Sequence, residues 1–218
     1  MRKRVGWMVV ALLLTAAVSA EMRKVDFEQD VAGQPPKGFA FGHTGKEGAP
    51  GRWLVQQDAG GKYVAQLEAD RTRNRFPVAV LSEVSASDVD LSVRFRPVSG
   101  RVDQAAGLVW RYQNEDNYYI VRANALEDNV VLYKVQNGRR TDLPAKGEGR
   151  TYGRPAEVPT GQWSTLRVVA AASRFEVHFN GRKLYEVEDT TFIQAGRVGV
   201  WTKADSVTHF DDLSVTTK

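Results

Sequence analysis

The chain is 218 residues long, contains no cysteine, and carries 30 Lys+Arg against 26 Asp+Glu. Disulfide scaffolds are therefore excluded, and so are thiolate metal sites. The basic balance is local: Arg2, Lys3 and Arg4 lie in an acid-free opening segment, and without them the count is 27 against 26. A nucleic-acid binder keeps a clear basic excess on its folded domain, so that class is set aside.

MRKR, then VGWMVVALLLTAAV, then VSA follow the order of a secretory signal peptide: a basic start, an apolar run, and small residues before a cut after Ala20. The run is short for a membrane span. No cysteine follows it to take a lipid. The expectation is a signal peptide over 1–20 and one exported domain over 21–218, periplasmic or secreted, with no membrane insertion after cleavage.

From there strand signals recur, and no long segment shows a 3.6-residue apolar period. Chain order gives VDFE, WLVQQ, KYVAQLEA, VAVLSE, DLSVRFRPV, GLVWRY, NYYIVRAN, NVVLYKV, STLRVVAA, RFEVHFN, RKLYEVE, GRVGVWT and HFDDLSV. Alternation is cleanest where Leu91, Val93 and Phe95 interleave with Ser92, Arg94 and Arg96, and where Phe175, Val177 and Phe179 interleave with Glu176, His178 and Asn180. Period-two patterning predicts strands with one buried face. Asn137-Gly138 and Asn180-Gly181 each suit a two-residue hairpin turn. The sum predicts an all-β fold, a two-sheet antiparallel β-sandwich or jelly roll. Residues 144–161 form the longest loop, and 33–52 read as a peripheral Gly/Pro-rich approach.

Within 107–138, pairing GLVWRY with NYYIVRAN around a Gln113–Asn117 loop sets Tyr112 against Tyr118 and Trp110 against Ile120. Extending the ladder into NVVLYKV sets Arg122 against Leu132 and Ile120 against Lys134. That register predicts a core face of Val109, Val121, Ala123, Val131, Tyr133 and Val135. The opposite face carries Trp110, Tyr118, Arg122 and Lys134, with Arg94 alongside, and a one-residue slip would exchange the faces. Rings flanked by basic donors suit a glycan or small sugar. The alternative is rings covering the outside of a sheet or lying under the 144–161 loop.

At the termini, Asp26, Glu28 and Asp212 would meet if the end strands pair. Oxygen ligands of that kind suit a structural calcium, and the alternative is carboxylates paired with Arg or Lys. His43, His178 and His209 lack zinc or iron spacing. There is no P-loop, no G-x-S-x-G, and no carboxylate pair singled out by its spacing.

VDFEQDVAGQPPKGF, WLVQQDAGGKYVAQL, DVDLSVRFRPV, AAGLVWRYQNEDNYYIVRANALEDNVVLYKVQNG, TGQWSTLRVVAAASRFEVHFNGRKLYEVED and GRVGVWTKADSVTHFDDLSV occur in that order. Together they resemble a laminin-G-like branch of the concanavalin A-like lectin/glucanase jelly rolls, close to the bacterial 3-keto-disaccharide hydrolase domains. The resemblance implies curved sheets with glycans on the concave one, and a calcium in some members. The acidic strand motif of the family-16 glucanases is missing, since Glu28-Gln29-Asp30 is followed by Val31, Ala32, Gly33 and Gln34. Three readings stay open: a carbohydrate-recognition sandwich, a hydrolase or lyase acting on a 3-keto-disaccharide or modified sugar, and a cell-envelope protein-interaction module.

Overall fold

A computed structural model describes residues 21–217, and their regular structure is entirely β-strand. The expected signal peptide lies outside the described residues. None of the described residues belongs to a helix long and apolar enough to cross a membrane.

The sixteen strands, numbered in chain order, form two antiparallel sheets. One runs β14 (Arg182–Glu188), β13 (Arg174–Phe179), β12 (Ser164–Ala171), β6 (Val89–Ser99), β16 (Val207–Thr217), β4 (Gly61–Gln66) and β3 (Trp53–Asp58), with β1 (Glu21–Val25) beside the later half of β16. The other runs β10 (Arg139–Asp142), β9 (Asn129–Gln136), β8 (Asn117–Asn124), β7 (Ala105–Asn114), β15 (Gly196–Trp201), β5 (Phe76–Ala86) and β2 (Phe39–Thr44), with the short β11 (Arg154–Pro155) on β9. The predicted segments recur as strands, except that the first strand ends at Val25 and the chain turns at Phe27. β2 lies inside the stretch read as peripheral and forms an edge of the second sheet.

Both Asn-Gly turns form as expected. Asn137 and Gly138 have φ of 50° and 76°, and Asn180 and Gly181 have 46° and 79°, the left-handed pair a tight hairpin needs. Leu91, Val93, Phe95, Phe175 and Val177 face the second sheet across the core, where Leu108, Trp110, Tyr119, Val121 and Leu132 meet them. Arg94 and Arg96 look outward from the first sheet, beside Trp163.

The second sheet is apolar on both faces. Its outer side carries Phe76, Val78, Val109, Tyr118, Ile120, Val131, Tyr133, Val135 and Trp201, all buried. A sheet covered on both sides reads as unbroken apolar runs rather than as alternation, which is the pattern of GLVW and NYYIV.

Candidate functional site

The structure divides the five residues assigned to one ligand face among three surfaces. Tyr118 and Arg122 share the outer face of the second sheet, as expected of β8. Trp110 and Lys134 lie on its inner side, and Arg94 lies outside the first sheet. The register differs by one on both flanks of β8: Trp110 pairs with Tyr119 and Val109 with Ile120, while Arg122 pairs with Val131 and Tyr119 with Lys134. The β7–β8 hairpin is a two-residue turn at Glu115-Asp116, closed by Asn114 and Asn117, and a bulge follows Trp110 at Arg111, whose φ is 48°. An extra residue on one strand of a pair moves everything before it to the opposite face. On the other flank no bulge is involved: the turn between Asn124 and Asn129 sets the register one residue from the expected one, so Val131, Tyr133 and Val135 join Arg122 on the outer face. Trp110 stacks on Tyr119 in the core, and Lys134 donates to Asp189 (3.0 Å) and Thr191 (2.7 Å).

Arg122 is held from several sides. It donates to Asn129 Oδ1 (2.6 Å), Glu127 Oε2 (2.7 Å) and the Tyr152 hydroxyl (3.0 Å). Its guanidinium also lies 5.7 Å from the Tyr133 ring and 5.8 Å from that of Tyr152. Burial works against its charge, yet Tyr133, Glu127 and Tyr152 hold its pKa above the ordinary arginine value. Burial likewise opposes ionisation of Glu127, but the Arg122 charge overrides it and lowers that pKa. Asn124 Nδ2 donates to Asp103 (2.5 Å) and to Glu127 (3.1 Å), and Lys203 pairs with Asp103. The 144–161 loop is pinned here: β11 pairs with β9, and Tyr133 and Tyr152 share a hydroxyl contact of 2.6 Å. The loop covers this end of the face, as its length suggested.

Along the same face lies Arg140. Its guanidinium carbon stands 4.4 Å from the Tyr133 ring centre, 4.9 Å from Phe76 and 5.7 Å from Trp201. No hydrogen-bond acceptor among the described residues meets its Nη1, which is buried. Arg140 and Phe76 border a groove of about 620 Å³ whose other walls include Lys46, Glu47, Asn74, Asp116 and Arg139. That volume lies within the range of small-ligand pockets. The sequence reading missed Arg140. Its signal is the Asn-Gly turn just before it, which fixes β10 against β9 and places Arg140 opposite Val135.

The terminal strands do pair, β1 against β16. The proposed calcium ligands nevertheless have other partners. Asp212 binds Lys24 (2.8 Å) and Arg94 (2.9 Å), Asp26 accepts the Glu28 amide (3.2 Å), and Glu28 accepts the Lys62 amide (2.8 Å). Among the described residues, no three carboxylate or imidazole groups converge as a metal set. With both Asp212 oxygens on cations, the residues at this end do not fit a calcium ion.

Two face-packed antiparallel sheets with this strand order define a β-sandwich of the concanavalin A-like jelly-roll superfamily. The chain belongs to the family of 3-keto-alpha-glucoside-1,2-lyase-like domains, whose model matches residues 42–216. Among solved structures it is similar to carbohydrate-binding module CBM66 from Bacillus subtilis, at 18% identity and a TM-score of 0.59, covering 80% of this chain and 94% of that one. Domain 4 of AbnA, a GH43 extracellular arabinanase from Geobacillus stearothermophilus determined in complex with arabinotriose, matches at 14% identity and a TM-score of 0.58, covering 91% and 93%. A protein of unknown function from Shewanella oneidensis MR-1 matches at 13% and 0.56, covering 94% and 89%. At these identities the likeness is one of fold. No curated protein sequence matches the chain significantly.

Proposed function

We propose that the protein is an exported carbohydrate-recognition sandwich whose sugar site is the groove beside Arg140. The observation that carries this reading is Arg140 itself, held by three rings on the border of the groove with a buried N–H that no acceptor among the described residues meets. A guanidinium in that state offers donors to hydroxyl or carboxylate oxygens, and the Asn, Asp and Glu of the walls add further polar partners. The family's description names a glucoside, and two of the fold's neighbours are named for sugar binding or arabinan cleavage, which supports a sugar over a protein partner. Arg122 and Tyr118 serve as positioning residues: Tyr118 bonds Thr44 (2.8 Å) beneath the face, and Arg122 holds Tyr152 over Tyr133.

The test is calorimetric titration of residues 21–218 with plain and 3-keto disaccharides. Arg140→Ala should weaken binding at least about tenfold, the loss of a charge-assisted hydrogen bond, with the melting temperature nearly unchanged. Equal affinity in wild type and variant would remove the groove as the site.

A second reading is favoured by the family and by Glu47 and Asp116, two carboxylates on the groove without an ion-pair partner among the described residues. In a 3-keto-glucoside the C2 hydrogen is acidified by the ketone. A carboxylate would take that proton, the freed electron pair would form a C1=C2 double bond as the C1–O bond breaks, and the departing oxygen would leave as an alcohol after taking a proton from the protonated carboxyl group. Mass spectrometry over time separates the readings. Under the binding reading the sugars stay intact, and a protein-dependent product that disappears in Glu47→Gln or Asp116→Asn would replace it with the lyase.

A further inference from the structure

We infer that the groove selects an acidic sugar, a hexuronate whose carboxylate docks on Arg140; this rests on the groove being the sugar site. The fully buried arginines of this fold show what a structural guanidinium looks like here, whereas Arg140 is only half-buried. Arg75 donates to the carbonyls of Ala49, Pro50, Glu68 and Ala204. Arg111 donates to those of Ser87, Ala172 and Phe192 and to Asp88. Arg122 has Asn129, Glu127 and Tyr152, with only its Nε left without an acceptor among the described residues. Each ties separate segments of chain together. The Arg140 side chain ties together no described segments: rings hold it in place, and its Nη1 is left without an acceptor among the described residues.

That difference has an energetic meaning. Arg140 Nη1 has no acceptor among the described residues, so a ligand oxygen that engages the guanidinium displaces no protein partner there. The rings at 4.4, 4.9 and 5.7 Å also fix the guanidinium before binding, which spares a ligand the entropy of ordering a long side chain.

The charge of the groove selects among ligands that could supply such an oxygen. Lys46, Arg139 and Arg140 line it, and none forms an ion pair with a described residue. Glu47 and Asp116 oppose them, leaving a formal excess of one positive charge among the lining residues. One carboxylate balances that excess, whereas a dianionic phosphate would face the two acids with charge to spare. A planar carboxylate also matches the two parallel N–H groups that one edge of a guanidinium presents. The acids and Asn74 then remain for the hydroxyls of the ring.

The experiment compares digalacturonate with the same disaccharide after both carboxyl groups are reduced to hydroxymethyl groups. A sulfated disaccharide and a plain and a 3-keto glucoside complete the panel, titrated into wild type, Arg140→Gln and the double variant Lys46→Gln/Arg139→Gln. Wild type should bind the uronate at least about tenfold tighter than its reduced form, more weakly as salt rises. The preference should vanish in Arg140→Gln and shrink several-fold in the double variant, which leaves the aromatic box intact. Equal binding of the uronate and the reduced sugar by wild type, with Arg140→Gln weakening both, would overturn the acidic ligand and leave the sugar site standing. A uronate preference that survives Arg140→Gln, or a sulfated sugar bound more tightly than the uronate, would overturn the docking assignment. If folded wild type binds no member of the panel, the sugar site falls, and this inference with it.

Discussion

A single buried side chain, Arg111, closes one end of the sandwich. It bonds the carbonyls of Ser87 (2.7 Å), Phe192 (2.6 Å) and Ala172 (2.5 Å), three segments far apart in sequence, and lies over the Phe175 ring. Arg111→Ala orphans three carbonyls at once, and we expect a loss of about 3–5 kcal/mol in urea unfolding. Arg111→Lys should recover little of it, because one ammonium cannot fork to three segments. A loss under 1 kcal/mol for the alanine variant would remove the clamp from this account. His209 sets a second residue-scale expectation. Burial, then the Arg96 charge, pushes its pKa down to about 4; its ring stacks on Tyr63 at 4.5 Å, and its Nδ1 meets Arg96 at 3.0 Å. Arg96 can only donate, so Nδ1 must be unprotonated and the ring neutral. Unfolded, the ring takes its proton near pH 6.5. Stability from the neutral ring is therefore fully present above about pH 6.5 and is lost as pH falls toward 4. His43, lowered mainly by its burial, acts in the same direction, and Asp211, raised by burial, acts against both. The urea midpoint should fall between pH 7 and 5, and fall less steeply in His209→Asn. Parallel pH profiles for the two proteins would exclude the histidine as the source.

At the scale of the element, glycines mark where strands approach too closely for a side chain. A Cβ on Gly199 of β15 would lie 2.1 Å from the Ala79 carbonyl oxygen, and one on Gly196 would lie 2.4 Å from the Arg111 carbonyl carbon. These neighbours are backbone, so the ladder itself must shift. Gly199→Ala should cost about 2–3 kcal/mol, at the upper end of overpacking. Gly161→Ala, open around its Cβ but at φ +76°, should cost about 1 kcal/mol from its left-handed backbone alone. Equal costs in a denaturant series would show that crowding at β15 does not matter. The same crowding explains what the sequence could and could not reveal. The first sheet was legible because it has one dry face and one charged face, so Leu91, Val93 and Phe95 separate cleanly from Ser92, Arg94 and Arg96. Both Asn-Gly turns were legible because their chemistry is local. The faces of β7 and β9 were not, since in GLVWRY and NVVLY both sides are buried and alternation carries no sign. The bulge at Arg111 decides the register of β7 and the Asn124–Asn129 turn that of β9, and nothing local in Trp110-Arg111-Tyr112 announces the bulge. Tyr118 and Arg122 stay on one face because β8 carries no bulge, but that face is the buried one they share with Val131, Tyr133 and Val135. Arg140 escaped notice because its role depends on Phe76 and Trp201, which reach it from distant parts of the chain.

For the molecule as a whole, the order of assembly follows from where β16 sits in its sheet. β16 is the last strand, yet it is interior to its sheet: it pairs with β6 along one side and with β4 and then β1 along the other. Phe210, Leu213 and Val215 on it are buried in the core. No earlier set of strands can complete the first sheet without it, and its partners on β4 and β6 lie more than a hundred residues away. Contacts that distant require large loops to close before they are rewarded, so folding should be slow, in the millisecond-to-second range of β-sandwiches, and should begin only once the last strand is present. β1 differs: its side chains are mostly exposed, and beyond its pairing with β16 it adds Val25 against the core and ion pairs from Arg23 to Glu83 and Lys24 to Asp212. Removing residues 21–25 should leave a folded protein with a single unfolding transition, lowered by about 1–2 kcal/mol, the order of one edge strand's cross-strand contacts. Removing residues 207–217 should leave a chain with no cooperative transition and no protected core amides by hydrogen exchange. If the protein without β16 still melted cooperatively, the second sheet, apolar on both faces and closed at one end by the 144–161 loop, would be shown to fold without the first.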